Sequence, residues 1–117
     1  MYQLLDGLSI IEASSFVASP TAGLYCAQLG AEVIRVGYAT AGSPHRRAFM
    51  NAGKMIQHST PATGELEELL DNAQILITSE GPAALRNKGL NPTALTRRHP
   101  QLVHLAISPF GLTGPYA

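Results

Sequence analysis

Short apolar runs alternate with amphipathic stretches along the chain, and this alternation predicts the order of its secondary structure. Apolar and β-branched residues concentrate in five runs that are typical of buried strands. These runs cover residues 8–13, 32–36, 54–58, 74–78 and 102–108. The segments between them carry apolar residues at helical spacing and predict helices over residues 21–29, 60–71, 82–88 and 91–99.

Proline and glycine mark the ends of these predicted elements. Pro20 lies where the first turn of a helix tolerates a missing N–H group. Gly30 and Gly89 follow two of the predicted helices and are suited to the left-handed conformation that ends a helix. Residues 37–53 are rich in glycine, serine and proline and predict a long loop.

Strands that alternate with helices favour right-handed βαβ units and a mostly parallel sheet. The sequence therefore predicts one α/β domain with a Rossmann-like sheet of about five strands and helices on both faces. The expected strand order is 3-2-1-4-5, with the topological switch between the first and fourth strands. Ligands bind such sheets beyond the carboxyl ends of the strands. In this chain those ends are the loops 14–19, 37–47, 79–82 and 108–116.

Composition narrows the classes of function. Eight basic and eight acidic residues cancel, which argues against nucleic acid or an anionic membrane as partner. No apolar run approaches the ~20 residues that span a bilayer. The one cysteine, Cys26, rules out an internal disulfide and fits a reducing compartment, so we expect a cytoplasmic protein. Charged residues make up only 14% of the chain, which indicates a missing partner surface and predicts self-association or poor solubility.

Several common ligand motifs are missing from the sequence. A dinucleotide fingerprint needs a glycine-rich turn after the first strand, but residues 14–19 contain no glycine. Gly37 stands where a ribose-binding carboxylate would follow the second strand, and no P-loop is present. The histidines show no metal-ligand spacing with Cys26, so we expect no metal site. They are His45, His58, His99 and His104.

Four groups of chemically reactive side chains leave alternatives open. His104 lies inside a predicted strand and is interpreted as a hydrogen-bonded core or edge residue, and Cys26 as a small buried hydrophobe. The serines at 14–15 could present hydroxyls to an anion but serve equally well as turn residues. The basic residues at 45–47 could meet a phosphate, although an exposed pair of arginines is usually just solvated. From these residues alone, the sequence predicts a Rossmann-like domain with an undefined ligand.

A family resemblance takes the prediction further. Five segments carry it, namely residues 4–12 (LLDGLSIIE), 28–36 (QLGAEVIRV), 51–54 (NAGK), 91–92 (NP) and 108–116 (SPFGLTGPY). Together they resemble the class III CoA-transferase family, which includes formyl-CoA and carnitine CoA-transferases and the α-methylacyl-CoA racemases. The similarity runs in register from about Leu4 to Ala117, which is nearly the whole chain.

The resemblance implies that residues 1–117 form the N-terminal, CoA-binding portion of a larger Rossmann-like domain. Members of the family are a few hundred residues longer, and two of their subunits interlock as a dimer. Their transferases use an aspartate nucleophile, and their racemases use an acid/base pair. Those groups are expected beyond Ala117, where a loop of glycines and prolines leads out of the last strand. No catalytic residue is therefore assigned here, and whether the chain is itself an enzyme stays open.

The resemblance also implies which residues contact coenzyme A. They are Val17, Ala18, Tyr38, Ser79, Glu80, Gly81 and Asn87. Several depart from the family pattern. Val17 replaces a glutamine of the formyl-transferase branch, and Tyr38 and Asn87 stand where arginines would meet phosphates. Glu80 adds a negative charge where phosphates would lie, although Arg86 and Lys88 flank the position of the lost arginine.

Three hypotheses of function follow. The chain is expected to belong to an acyl-CoA transferase that binds CoA thioesters and moves CoA between carboxylates, with coenzyme A as co-substrate and no metal. Alternatively, it is a degenerate, non-catalytic copy of that domain that serves as a scaffold or interaction module. A third hypothesis is a free-standing Rossmann-like module for another nucleotide. The expected partners are acyl-CoA or CoA and either a second copy of the chain or the remainder of the family fold.

Overall fold

A computed structural model of the chain describes residues 3–13, 18–36, 43–57 and 63–117. Strands and helices alternate in these residues, as the apolar pattern predicts. In chain order they are β1 (Ser9–Glu12), α1 (Ala18–Gln28), β2 (Glu32–Val36), α2 (Pro44–Met50), β3 (Met55–Gln57), α3 (Thr63–Asp71), β4 (Ile75–Thr78), α4 (Pro82–Asn87), α5 (Pro92–Arg98) and β5 (Val103–Ala106).

The five strands form one parallel sheet in the order β3-β2-β1-β4-β5. In its register, Ile10 of β1 lies between Val33 of β2 and Ile75 of β4. The predicted order and the predicted switch between the first and fourth strands are therefore confirmed. Because the strands are all parallel, their carboxyl ends meet at one edge of the sheet.

Two apolar clusters cover the two faces of the sheet. Successive residues of a strand point to opposite faces, so Ile10 packs in one cluster and Ile11 in the other. The cluster that contains Ile10 is covered by α1, and the one that contains Ile11 is covered by Leu70 of α3, Leu85 of α4 and Leu95 of α5. Helices thus lie on both faces, which confirms the predicted Rossmann-like α/β class.

The predicted loop over residues 37–53 is wrong in its second half, because α2 occupies Pro44–Met50. Ser43 caps this helix, since its hydroxyl accepts a hydrogen bond from the amide of Arg46 at 3.2 Å. Pro44 at the first helical position has the backbone angle that a helix needs. A serine followed by proline is a helix-start signal, which the abundance of loop-forming residues obscured in the sequence.

Two smaller differences concern helix starts. The first helix begins at Ala18 rather than Thr21, so Pro20 is its third residue and still within the first turn. The described part of α3 begins at Thr63, and the predicted start of that helix at residue 60 lies outside the described residues. Among the helices that are described, none has the length and apolar content to cross a membrane.

Gly30 ends α1 and leads the chain into β2, as predicted. Its φ of +101° lies in the region that disfavours side chains. The amide of Gly30 donates to the carbonyl of Ala27, and that of Ala31 reaches back to Cys26 at 3.0 Å. These two bonds satisfy carbonyls at the helix end and direct the chain straight into the second strand.

Candidate ligand-binding site

A cavity of about 640 Å³ lies at the carboxyl ends of β4 and β5, beside the start of α1. This is the sheet edge where ligands are expected in an open α/β fold. The cavity is lined by Ala18, Ser79, Glu80, Gly81, Pro82, Ile107, Ser108, Pro109, Phe110, Gly111, Tyr116 and Ala117. The described parts of three predicted strand-end loops therefore meet in one place.

Four of the seven predicted CoA-contact residues line this cavity. Ala18 comes from the first turn of α1, and residues 79–81 form the turn between β4 and α4. Asn87 is exposed at the end of α4 and is not among the lining residues. Val17 and Tyr38 lie outside the described residues. That any of these residues contacts coenzyme A stays a prediction.

The segment after β5 supplies the apolar wall that residue-level sequence reasoning missed. Phe110 and Tyr116 both line the cavity, with ring centroids 6.0 Å apart and planes at 48°. They are 70% and 78% exposed, an unusual state for large aromatic side chains. The sequence did mark residues 108–116 as a loop at the carboxyl end of a predicted strand. It did not indicate that Phe110 and Tyr116 are the side chains that line the cavity. Two open aromatic rings at a cavity can stack on a flat heterocycle.

Glu80 is only 4% exposed and forms an ion pair with Lys88. The sequence indicated that this carboxylate would repel phosphates. In the structure a neighbouring ammonium compensates the charge, since Lys88 lies at the end of α4 and reaches back to the turn after β4. Glu80 and Lys88 thus form an ion pair. The net charge that the turn presents to a ligand is therefore small.

Beneath the same turn, Thr78 of β4 and His104 of β5 are joined by a hydrogen bond of 2.8 Å between Oγ1 and Nε2. His104 is hydrogen-bonded on the edge strand, which confirms its interpretation as a structural residue. Burial lowers the pKa of its imidazole from the ordinary 6.5, because the charged ring would lose solvation.

The lowered pKa of His104 predicts an acid sensitivity of the fold. As pH falls below 6.5, the unfolded chain binds a proton that the folded chain still excludes, so unfolding becomes more favourable until the folded-state pKa is reached. We expect His104→Gln to remove the part of the acid-induced loss of stability that comes from protonation of this imidazole. Urea unfolding of both proteins between pH 7.5 and pH about 5 measures it. Parallel curves of stability against pH for the two proteins would contradict the assignment.

A buried ionic network adjoins the start of α1, and sequence reasoning missed it. Glu12 at the end of β1 accepts hydrogen bonds from Arg35 of β2 and from Lys54, whose Nζ lies 2.6 Å from Glu12 Oε1. The three charged side chains are 0–2% exposed. Lys54 also donates to the carbonyl of Pro20 at 2.9 Å. Burial lowers the pKa of the Lys54 ammonium, and Glu12 opposes that shift.

The remaining sequence candidates lie away from the cavity or outside the described residues. Cys26 is partly buried against the sheet, where burial raises the pKa of its thiol, in agreement with its interpretation as a small hydrophobe. The basic residues 45–47 are exposed on α2, and the serines at 14–15 are not described. Within the described ranges, no group of three histidine, cysteine or acidic side chains could hold a metal ion.

Comparison with known proteins identifies the family. The profile of CoA-transferase family III matches residues 5–117, so the chain belongs to that family. The chain is 30% identical to cinnamoyl-CoA:phenyllactate CoA-transferase from Clostridium sporogenes, an alignment that covers 96% of this chain and 32% of that protein. It is 27% identical to the alpha subunit of succinyl-CoA–L-malate CoA-transferase from Chloroflexus aurantiacus, with 96% and 30% covered.

The fold also matches a solved structure. The crystal structure of a hypothetical protein from Mycobacterium tuberculosis superposes with a TM-score of 0.79 at 28% identity, covering 97% of this chain and 35% of that one. The chain thus spans about a third of the length of the curated relatives that it matches. The family resemblance of the five sequence segments is confirmed.

Proposed function

We propose that this chain provides the CoA-binding part of an acyl-CoA transferase, which moves CoA from an acyl thioester to an acceptor carboxylate. The observation that carries the proposal is the cavity at the carboxyl edge of the sheet. The family resemblance implies CoA contacts at five described positions. The cavity brings four of them together, namely Ala18 and residues 79–81, and the fifth, Asn87, does not line it. The relatives named above are themselves CoA-transferases, which supports the same class of substrate.

The lining residues suit part of a CoA molecule rather than the whole. Ala18 and Gly81 are small and allow a ligand to approach the backbone closely. Phe110 and Tyr116 offer aromatic surface for an adenine ring or for the pantetheine arm. A volume of about 640 Å³ falls in the range of small-molecule pockets. The proposal assigns binding and orientation to these residues and assigns no catalytic residue within the chain.

We further propose a cytoplasmic location and association of the chain, either with a second copy or with the remainder of the family fold. Exposed apolar residues support the association. Val103 and Leu105 are 62% and 47% exposed on β5, which is the edge strand next to the cavity. One of the relatives is named as an alpha subunit, which is consistent with assembly from more than one chain.

A degenerate scaffold is the second candidate, and one structural observation favours it. Lys88, one of the two basic residues that flank the missing arginine at Asn87, is already engaged in an ion pair with Glu80. A domain that kept its fold while losing its phosphate contacts would present this arrangement. The two candidates differ in whether the chain binds coenzyme A.

Calorimetric titration with coenzyme A, with dephospho-CoA as comparison, tests the proposal. We expect the wild type to bind and a Tyr38→Arg/Asn87→Arg variant to bind roughly tenfold more tightly, because two guanidinium groups are restored where the family meets phosphates. The gain should be smaller for dephospho-CoA if one of them meets the 3′-phosphate.

A Thr93→Arg/Thr96→Arg variant controls for the two added positive charges, since both threonines are exposed on α5. This control should bind CoA as the wild type does. A folded wild type and a folded double-arginine variant that both give flat titrations would contradict CoA binding and favour the scaffold.

A further inference from the structure

The network of Glu12, Arg35 and Lys54 carries an unusual charge balance for a buried cluster. One carboxylate faces two cations, and all three side chains are almost completely removed from solvent. Arg35 pairs with one carboxylate oxygen and Lys54 with the other. Since Arg35 alone would neutralise Glu12, pairing with that carboxylate does not by itself explain why a lysine is buried at a cost in solvation.

The second contact of Lys54 supplies an explanation. Its Nζ donates to the carbonyl oxygen of Pro20 at 2.9 Å, thirty-four positions earlier in the chain. Pro20 is the third residue of α1, so this hydrogen bond ties the first turn of the helix to the segment that leads into β3. A charged donor makes a stronger bond to a carbonyl than a neutral one does.

A second hydrogen bond also holds the first turn of α1. Ser19 is fully buried, and its hydroxyl donates to the carbonyl of Ile77 in β4 at 3.3 Å. The first turn of α1 is thus attached to β4 through Ser19 and to the ionic network through Pro20. Ala18 lies in this turn and lines the cavity. Displacement of the turn would move the cavity wall.

The packing of α1 against the network is close enough to transmit such a displacement. A Cβ atom built on Gly23, one helical turn further on, would lie 2.0 Å from Glu12 Oε1 and 3.3 Å from Lys54 Nζ. The helix backbone therefore rests directly on the two charged groups. The network and the helix therefore occupy complementary space in close contact.

We propose that Lys54 is a positioning residue for the cavity, whose ammonium fixes the first turn of α1 through the carbonyl of Pro20. Glu12 orients the ammonium, and Ala18 is the part of the cavity wall that the arrangement holds in place. The consequence for coenzyme A rests on the proposed function, whereas the mechanical role of Lys54 does not depend on it.

Lys54→Met tests this role, because it keeps the length of the side chain and leaves Glu12 and Arg35 as a balanced pair. Amide hydrogen exchange is measured for residues 18–24 and for β1 and β4, without ligand. We expect exchange in residues 18–24 to rise on the order of tenfold while the two strands keep their protection. Arg97→Met, at an exposed position of α5, also removes one positive charge and should change neither region.

Unchanged exchange in residues 18–24 would overturn the proposal, and so would an equal rise in the helix and in both strands, which indicates a general loss of stability. If Lys54→Met does not fold, Lys54→Gln replaces it, because glutamine offers only a neutral donor on a shorter side chain. The expected result is the same, a rise in exchange in residues 18–24 with both strands still protected.

Titration with coenzyme A then separates the two proposals. Under conditions where both proteins are folded, we expect Lys54→Met to bind CoA about tenfold more weakly than the wild type. If the wild type itself gives no heat of binding, the proposed function fails, while the exchange result still decides the role of Lys54. If the wild type binds CoA and Lys54→Met binds it equally well, the positioning proposal fails while the proposed function stands.

Discussion

Glu12→Gln is expected to lower the free energy of unfolding by about 3–5 kcal/mol, because it removes the carboxylate that pairs with two buried cations. Glu12 is fully buried and accepts hydrogen bonds from Arg35 and Lys54 at the end of β1. The neutral amide keeps the shape of the carboxylate but cannot balance either cation. Since domains of this size are stable by about 5–15 kcal/mol, the variant should be strongly destabilised or unfolded.

Urea unfolding at neutral pH measures this loss, and Glu32→Gln is the matched control. Glu32 is exposed on β2, so the same chemical change should cost within about 0.5 kcal/mol. A triple variant with methionine at 12, 35 and 54 removes every charge of the network and should recover much of the stability that Glu12→Gln loses. Equal losses for Glu12→Gln and Glu32→Gln would show that the network is not a buried ionic cluster.

Gly23→Ala is expected to destabilise the protein by roughly 3 kcal/mol, although alanine is the better helix former by about 1 kcal/mol. The added Cβ would lie 2.0 Å from Glu12 Oε1, a separation that no pair of such atoms tolerates. A flexible side-chain end would normally move aside. Here the carboxylate is held by two cations and has no solvent to move into, so the clash displaces either the helix or the network.

Gly81→Ala provides the comparison for this substitution. A Cβ at Gly81 would have no atom within 4 Å, and its φ is −73°, so alanine fits there. Thermal and urea unfolding of both variants should show a large loss at position 23 and a small effect at position 81. A Gly23→Ala protein that is as stable as the wild type would mean that Glu12 does not pack against α1.

The strand order and the position of the cavity could be predicted because local patterns specify them. The apolar runs of β1, β2 and β4 are short and rich in β-branched residues, and the intervening helices force parallel crossovers. Once the strand order is known, the loops after the strands must meet at one edge, and the turn at 79–81 lies there. The start of α2 was missed because its cap residue lies among many residues that also favour loops.

The partners of individual side chains could not be predicted in the same way. Glu12 is the last residue of β1, and nothing in its local sequence distinguishes it from a solvent-exposed end residue. Its two partners lie 23 and 42 positions away, on β2 and before β3. Phe110 and Tyr116 likewise line the cavity only because the segment after β5 folds beside the turn after β4.

Periodicity, turn residues and motif spacing are properties of neighbouring positions, so the sequence was enough to predict the α/β class, the strand order, the family and the sheet edge at which the cavity lies. The folded structure was needed to show that Lys88 compensates Glu80 and that Glu12, Arg35 and Lys54 form one buried network against Gly23. Those contacts depend on the register of parallel strands and on the distance of a helix from the sheet. Both are set by the packing of the whole domain, so they cannot be read from any single segment.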